Sequence, residues 1–336
     1  MKQNILNNSI LTDSFGRRHE YLRISVTERC NLRCKYCMPA EGIKIKPKDE
    51  LLTFDEIEKI SKIFVSLGVK KIRITGGEPL VRKDLPNLLK NISQFNGLES
   101  LALSTNGLLL GNYIHDLKNS GVTKINVSLD SLKADKFNYI TRSNNLENIL
   151  EGIDKSIEAG FKNLKINVVV MRGFNDDEIL DFINFGIEKK LNIRFIEYMP
   201  FNGNGWNEFK MIPYWEIKNI IEEKYQLKNI ITNEVVPGPA KEFKIVGTEA
   251  TVGFISTMSE HFCSSCNRLR LTSDGKLRNC LFAKDGVDLK KMIRENSSDA
   301  EIFSSIKNEL NLKWEEHPDA KTLTELNDRS MVAIGG

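Results

Sequence analysis

"YLRISVTERCNLRCKYC", residues 21–37, is the stretch on which the fold turns. Residues 21–27 form a short apolar run containing Ile24 and Val26, the composition of a buried strand. Three cysteines follow almost at once, Cys30, Cys34 and Cys37, with three residues and then two between them. The thiols therefore sit just past the carboxyl end of the first strand. Cysteines this close suit a zinc site, an iron–sulfur cluster or a redox pair.

Five more runs of the same kind lie downstream: "KKIRIT" (70–75), "LALSTN" (101–106), "KINVSLD" (124–130), "LKINVVVM" (164–171) and "NIRFIEYM" (192–199). Helical patterns separate them. "TFDEIEKISKIFVSLG" opens with Thr53 and Glu56 at capping-box spacing and ends at Gly68. Six strand–helix repeats imply an α/β fold with a parallel sheet, either open and doubly wound or a partial barrel. Polar or Gly-rich signals fall at the strands' carboxyl ends: the cysteines after the first, "GGEP" (76–79) after the second, "STN" and "SLD" after the next two, Met199 after the sixth. Parallel α/β folds carry their active sites there.

Past about residue 200 the pattern changes. "FNGNGWNEF" is a loop, while "AKEFKIVG", "ATVGFIST" and "RLRLTSDGKLRNCLF" read as antiparallel strands, the last with a turn at "SDGK". This divides the chain into an N-terminal arm (1–14), an α/β core (15–200) and a C-terminal region (201–336) packed on it.

The 336 residues, 40% hydrophobic and 28% charged, suit a globular protein, and a net charge of +3 is too small to argue for nucleic acid or a membrane surface. The N-terminus lacks the apolar core of a secretory signal, and the cytoplasm is the expected compartment. Structural disulfides are rare there. The six cysteines fall into two triplets, the second being Cys263, Cys266 and Cys280. Zinc usually takes four closed ligands, and only His261 stands near enough in sequence to complete one triplet. An iron–sulfur reading ranks first, zinc second and disulfides third.

"CNLRCKYC" matches the C-x3-C-x2-C signature of radical S-adenosylmethionine enzymes. More closely, "FGRRHEYLRISVTERCNLRCKYCMP", "RITGGEPLVRKDL", "INVSLD", "CSSCNRLRLTSDGKLRNCLF" and the terminal "GG" resemble the molybdenum-cofactor biosynthesis protein A family, the GTP 3′,8-cyclases. The resemblance runs from about Phe15 to Gly336. It implies a partial (βα)6 barrel whose C-terminal antiparallel extension carries a second cluster and closes the barrel. Three cysteines leave one corner of a four-iron cluster open. The resemblance implies that S-adenosylmethionine fills that corner on the 4Fe–4S cluster of Cys30, Cys34 and Cys37, and that an electron from the cluster cleaves it to a 5′-deoxyadenosyl radical. Tyr36, Gly77, Ser128 and Met199 match the family's S-adenosylmethionine contacts.

By the same resemblance Cys263, Cys266 and Cys280 hold a second 4Fe–4S cluster whose open iron binds the guanine of GTP. Arg23, Arg73, Ser104, Lys165, Arg268 and Arg270 match the family's GTP contacts, with Lys71 and Arg194 as weaker candidates. Arg23, Arg73 and Lys165 stand in apolar strand runs. Pointing inward they would need an anion, and pointing outward they would be solvated. Gly335 and Gly336 are expected to enter the active site. The implied reaction converts GTP to 3′,8-cyclo-7,8-dihydro-GTP. Its implied partners are an external electron donor such as flavodoxin or ferredoxin and, downstream, cyclic pyranopterin monophosphate synthase, and a homodimer is expected. Two other classes are open: a radical peptide-modifying enzyme with an auxiliary cluster, which usually carries more tail cysteines, and an iron–sulfur electron carrier, which would not need "GGEP".

Overall fold

The computed structural model describes residues 11–39, 41–44, 46–231, 236–326 and 330–335. The six expected strands form as β1 (Tyr21–Ser25), β2 (Lys71–Thr75), β3 (Ser100–Thr105), β4 (Lys124–Ser128), β5 (Leu164–Val170) and β6 (Asn192–Glu197). They alternate with helices α1 (Phe54–Ser66), α2 (Leu85–Ser93), α3 (Leu110–Asn119), α4 (Ala134–Thr141), α5 (Leu146–Glu158) and α6 (Ile179–Lys189). In α1 the capping box is complete. Thr53 Oγ1 accepts from Glu56 N at 3.2 Å, and Glu56 Oε2 accepts from Thr53 N at 2.8 Å. Ile57, Ile60 and Phe64 turn to the sheet and are buried, and Gly68, at φ 100°, supplies the left-handed turn that ends the helix.

After α7 (Tyr214–Glu222) come β7 (Leu227–Asn229), β8 (Lys241–Ile245), β9 (Thr251–Ile255), β10 (Arg268–Leu271) and β11 (Leu277–Arg278). Among the described residues these eleven strands join one sheet in the order β11-β10-β1-β2-β3-β4-β5-β6-β9-β8-β7. β1 to β6 run parallel, and β10 and β9 extend the parallel run at its two ends. The β10–β11, β8–β9 and β7–β8 pairings are antiparallel. The local pattern gives the β10–β11 and β8–β9 hairpins. It does not give the docking of β10 on β1 or of β9 on β6. Residues of β10 and β9, from opposite ends of the parallel run, line one cavity, so the sheet bends around it.

Residues 1–10 of the expected arm lie outside the described residues, and its inner end is docked, with Leu11 and Asp13 buried. Asp13 Oδ2 accepts from Arg17 Nε at 2.6 Å. Arg17 Nη1 reaches the carbonyls of Cys263 (2.8 Å) and Glu315 (2.7 Å), and its Nη2 reaches that of Trp314 (2.6 Å). This guanidinium ties the second cysteine loop to the segment after α9 (Asp299–Asn311).

Candidate active site

The first triplet hangs on a compact loop after β1. Cys34 O accepts from Cys37 N (3.0 Å) and Met38 N (2.9 Å), and Cys30 Sγ accepts from Leu32 N (3.4 Å) and Asn106 Nδ2 (3.6 Å). The loop is welded to the end of β2 by Gly76 and Gly77. Gly77 N donates to Thr27 O at 2.7 Å, and a Cβ on Gly77 would stand 2.4 Å from Arg29 O. Only glycine allows that approach.

Two carboxyls sit behind the loop. Glu78 accepts from Asn106 N (2.7 Å), Leu80 N (3.0 Å) and Thr105 Oγ1 (2.8 Å), and burial pushes it up to about 7. Asp130 accepts from Tyr36 (2.7 Å) and Val169 N (2.8 Å), and burial pushes it up to about 6. Burial also raises Cys30 to about 11 and Cys37 to about 12, and drives Cys34 well above its ordinary value. Among the described residues no cation is a leading cause acting against these shifts, and a bound metal would favour the thiolates.

Below the loop the curved sheet encloses a cavity. The pairing register sets its wall. Arg270, Arg23 and Arg73 are direct neighbours on β10, β1 and β2. A second row runs Ser104–Asn126–Lys165 and a third Ser128–Asn167–Arg194. Lys71, Arg73, Arg194 and Arg270 are all less than a tenth exposed. Arg73 Nε donates to Tyr21 Oη at 2.7 Å, and its Nη1 to Leu103 O at 2.7 Å and Ser104 Oγ at 3.2 Å. Burial alone would raise the Tyr21 hydroxyl, yet Arg73, Arg23 and Lys71 bring it down to about 7. Burial, with Arg23 and Arg268 beside it, holds Arg270 well below its ordinary value.

At the far side Glu242 crosses β9 to reach β6. Its Oε1 accepts from Arg194 Nε at 3.0 Å and lies 3.6 Å from Lys165 Nζ, and its Oε2 accepts from Asn192 Nδ2 at 2.7 Å. Gly253 makes the crossing possible, since a Cβ there would stand 3.0 Å from Glu242 Oε2. Part of the anion that sequence reasoning expected for Lys165 is therefore supplied from within the chain.

The second triplet lines an adjoining cavity with Phe282, Lys313 and His317. Thr257, Phe262, Arg268, Arg270 and Leu281 border both cavities. Burial raises Cys263. Cys266 goes the other way: burial works against it, but Arg268 and Lys313 prevail and bring it to about 7.

Every anticipated contact that falls among the described residues lines one of these two cavities. Cys30, Cys34, Cys37, Tyr36, Gly77, Ser128, Met199, Arg23, Arg73, Ser104, Lys165 and Gly335 border the first, with Lys71 and Arg194. Cys263, Cys266 and Cys280 border the second, and Arg268 and Arg270 border both. Met199 also packs against Phe201 and Phe282. Gly335, at φ 85°, sits against the ends of β1 and β2, where a Cβ would meet Thr75 Oγ1 at 2.9 Å. Gly336 lies outside the described residues. The sequence reading did not single out Asn126, Asn167, Lys124, Glu242 or Lys313. For the first three, strand alternation in step with Ser104, Ser128 and Lys165 was the available signal.

The residues fit an iron–sulfur group with a polar ligand. Each triplet gathers three soft sulfur donors at one cavity. Asn126 Oδ1 and Asn167 Oδ1 are buried on the first cavity wall without a hydrogen-bond partner among the described residues, as acceptors open to a donor.

Comparison with known proteins agrees. Residues 24–186 match the radical SAM superfamily and residues 191–319 match Molybdenum Cofactor Synthesis C. The chain is 43% identical over 329 residues to the GTP 3′,8-cyclase of Moorella thermoacetica, covering 97% of this chain and 100% of that one. It is 46% identical over 328 residues to molybdenum cofactor biosynthesis protein 1 of Dictyostelium discoideum, covering 97% of this chain and 52% of that protein. It thus spans about half the length of that larger relative. Streptococcus suis SuiB bound to S-adenosylmethionine shares the fold, with a TM-score of 0.59 at 17% identity over 85% of this chain and 68% of that one. By its cysteine loop, its sheet and its identity over nearly the whole length of a bacterial relative, the chain belongs to the GTP 3′,8-cyclase family within the radical SAM superfamily.

Proposed function

We propose that this protein is a GTP 3′,8-cyclase, converting GTP to 3′,8-cyclo-7,8-dihydro-GTP in the first step of molybdenum cofactor biosynthesis. The observation that carries the reading is the in-register row Arg270–Arg23–Arg73 on adjacent parallel strands facing one cavity. Like charges side by side on a sheet destabilise it, and a polyanion between the guanidiniums would relieve that repulsion. A peptide substrate would not require it.

In this reading Cys30, Cys34 and Cys37 hold one 4Fe–4S cluster, and Cys263, Cys266 and Cys280 a second. The first cluster with S-adenosylmethionine, when bound, supplies the carbon radical that initiates the reaction. Tyr36, Gly77, Ser128 and Met199 seat S-adenosylmethionine. Arg23, Arg73, Ser104, Lys165, Arg268 and Arg270, aided by Lys71 and Arg194, orient GTP and exclude water. Gly335 brings bare backbone to the carboxyl ends of β1 and β2, where a side chain would clash, and Gly336 shares with it the role of the tail in catalysis. The core over 15–200 is a partial (βα)6 barrel, and residues 201–336 close it.

An external electron donor such as flavodoxin or ferredoxin, a homodimer, a cytoplasmic location and a downstream cyclic pyranopterin monophosphate synthase complete the proposal. No helix among the described residues is long and apolar enough to cross a membrane. Anaerobic incubation with GTP, S-adenosylmethionine and dithionite, followed by mass analysis, tests it. Cyclised GTP together with 5′-deoxyadenosine is the expected result. 5′-Deoxyadenosine with GTP left intact would send the substrate assignment back to another class.

A further inference from the structure

Lys313 lies just after α9 and is 5% exposed. Its Nζ donates to the backbone carbonyl of Asn279, the residue before Cys280, and it forms no ion pair with any described carboxylate. It lines the second cavity together with Arg268, Arg270 and the three cysteines, and no Asp or Glu lines that cavity among the described residues. A buried ammonium without a carboxylate is costly unless something negative shares its space. The segment that carries it is fixed from behind by Arg17, which binds the carbonyls of Trp314 and Glu315 as well as that of Cys263. Lysine and cysteine loop are thus held in one relation by one guanidinium.

The first triplet has the opposite surroundings. Asn106 links Cys30 to the buried Glu78, and Tyr36, one residue before Cys37, bonds the buried Asp130. The reduction potential of an iron–sulfur cluster depends on nearby charge, hydrogen bonds and solvent exposure. An added electron is favoured beside a cation and disfavoured beside carboxylates.

We propose that Lys313 is a positioning residue for charge at the second cysteine site: its buried ammonium raises the reduction potential of the cluster held there, so that this cluster accepts an electron more readily than the first. The proposal rests on the second cluster assigned above. The test uses the full-length chain with Cys30, Cys34 and Cys37 replaced by Ala and reconstituted anaerobically with iron and sulfide, so that one cluster signal remains. Its midpoint potential is read by electron paramagnetic resonance during a redox titration, for Lys313 and for the Lys313→Met and Lys313→Arg variants.

The expected result is a lower potential in the Met variant, by at least a tenfold change in the reduced-to-oxidised ratio, about 59 mV for one electron. The Arg variant should stay near the parent. Loss of iron from the Met variant alone also supports the role, because the charge is then needed to hold the cluster at all. An unchanged potential in a fully loaded Met variant overturns the proposal, as does equal loss of iron from the Met and Arg variants. Absence of iron from the parent itself would overturn the second cluster, and this proposal with it.

Discussion

The two cysteine triplets use the same ligands in opposite settings. The first is local: eight residues of sequence, one loop, and two carboxyls buried behind it. The second is assembled from a short 3-10 turn at Cys263–Ser265 and from Cys280 past β11, and its neighbours are Arg268, Arg270 and Lys313. The difference shows in the thiols. Burial, joined by the negative charge of neighbouring thiols and of Glu78 and Asp130, pushes the first set up, whereas at Cys266 cations overcome burial. A ligand set therefore says which element is bound, and its neighbours say what charge the bound group can carry.

The comparison is broken most severely by removing one site. Replacing Cys30, Cys34 and Cys37 together by Ala should abolish 5′-deoxyadenosine formation and leave about half the iron of a two-cluster protein. Iron analysis and chromatography of the nucleoside products check both. Retention of nucleoside formation would remove the first loop from the radical chemistry.

A milder break acts on the shared wall. Arg270→Ala deletes one member of the arginine row, and GTP affinity should fall by on the order of 1.5–3 kcal/mol, the value of a hydrogen bond to a charged group. Cleavage of S-adenosylmethionine without GTP should persist. Calorimetry on anaerobic protein gives the affinity, and an unchanged value would take Arg270 out of the substrate site.

Tyr21 reports the field of that row without any ligand. Its hydroxyl ionises near 7 in the folded chain against about 10 when unfolded. A depressed acid stabilises the fold at pH above its unfolded value and loses that contribution as pH falls through its folded value. Stability attributable to Tyr21 should thus rise from about pH 7 to about pH 10. One tyrosinate should appear near neutral pH in ultraviolet absorbance and vanish in Tyr21→Phe. Tripolyphosphate should move that titration upward by neutralising the arginines.

The smallest effect sharpens the contrast by leaving both sites alone. Thr53→Ala opens the capping box of α1 and should cost about 1 kcal/mol in denaturant unfolding, with iron content unchanged.

The core strands, the α1 cap, both triplets and the cations of the cavity wall were legible because each leaves a local mark: a run of apolar residues, a fixed spacing, a charge inside a strand. Lys313 and Glu242 left none. Lys313 reads as one more lysine after an amphipathic helix, and Glu242 as a solvated residue in "AKEFKIVG". Their meaning comes from strands far apart in sequence. Glu242 matters because Gly253 lies beneath its path, and Arg23 belongs to a row because β10 docks on β1. The bland alternative for Arg23, Arg73 and Lys165, a solvated outer face, loses to the register that aims all three into one cavity.

The pairing of β10 with β1 also bears on time. Tyr21 lies beside Arg268, so the chain must make more than two-thirds of itself before β1 gains its second neighbour. The β1–β6 repeats join strands close in sequence, whereas this pairing must first close a very long loop. The first cysteine loop can mature with those early repeats. The second, tethered through β10 and Arg17, comes together only when the two ends of the chain meet, so cluster content at that site should mark the last stage of folding. In a refolding experiment, iron uptake at Cys263, Cys266 and Cys280 should lag behind recovery of helix signal, and a slowed β1–β10 closure should lengthen the lag.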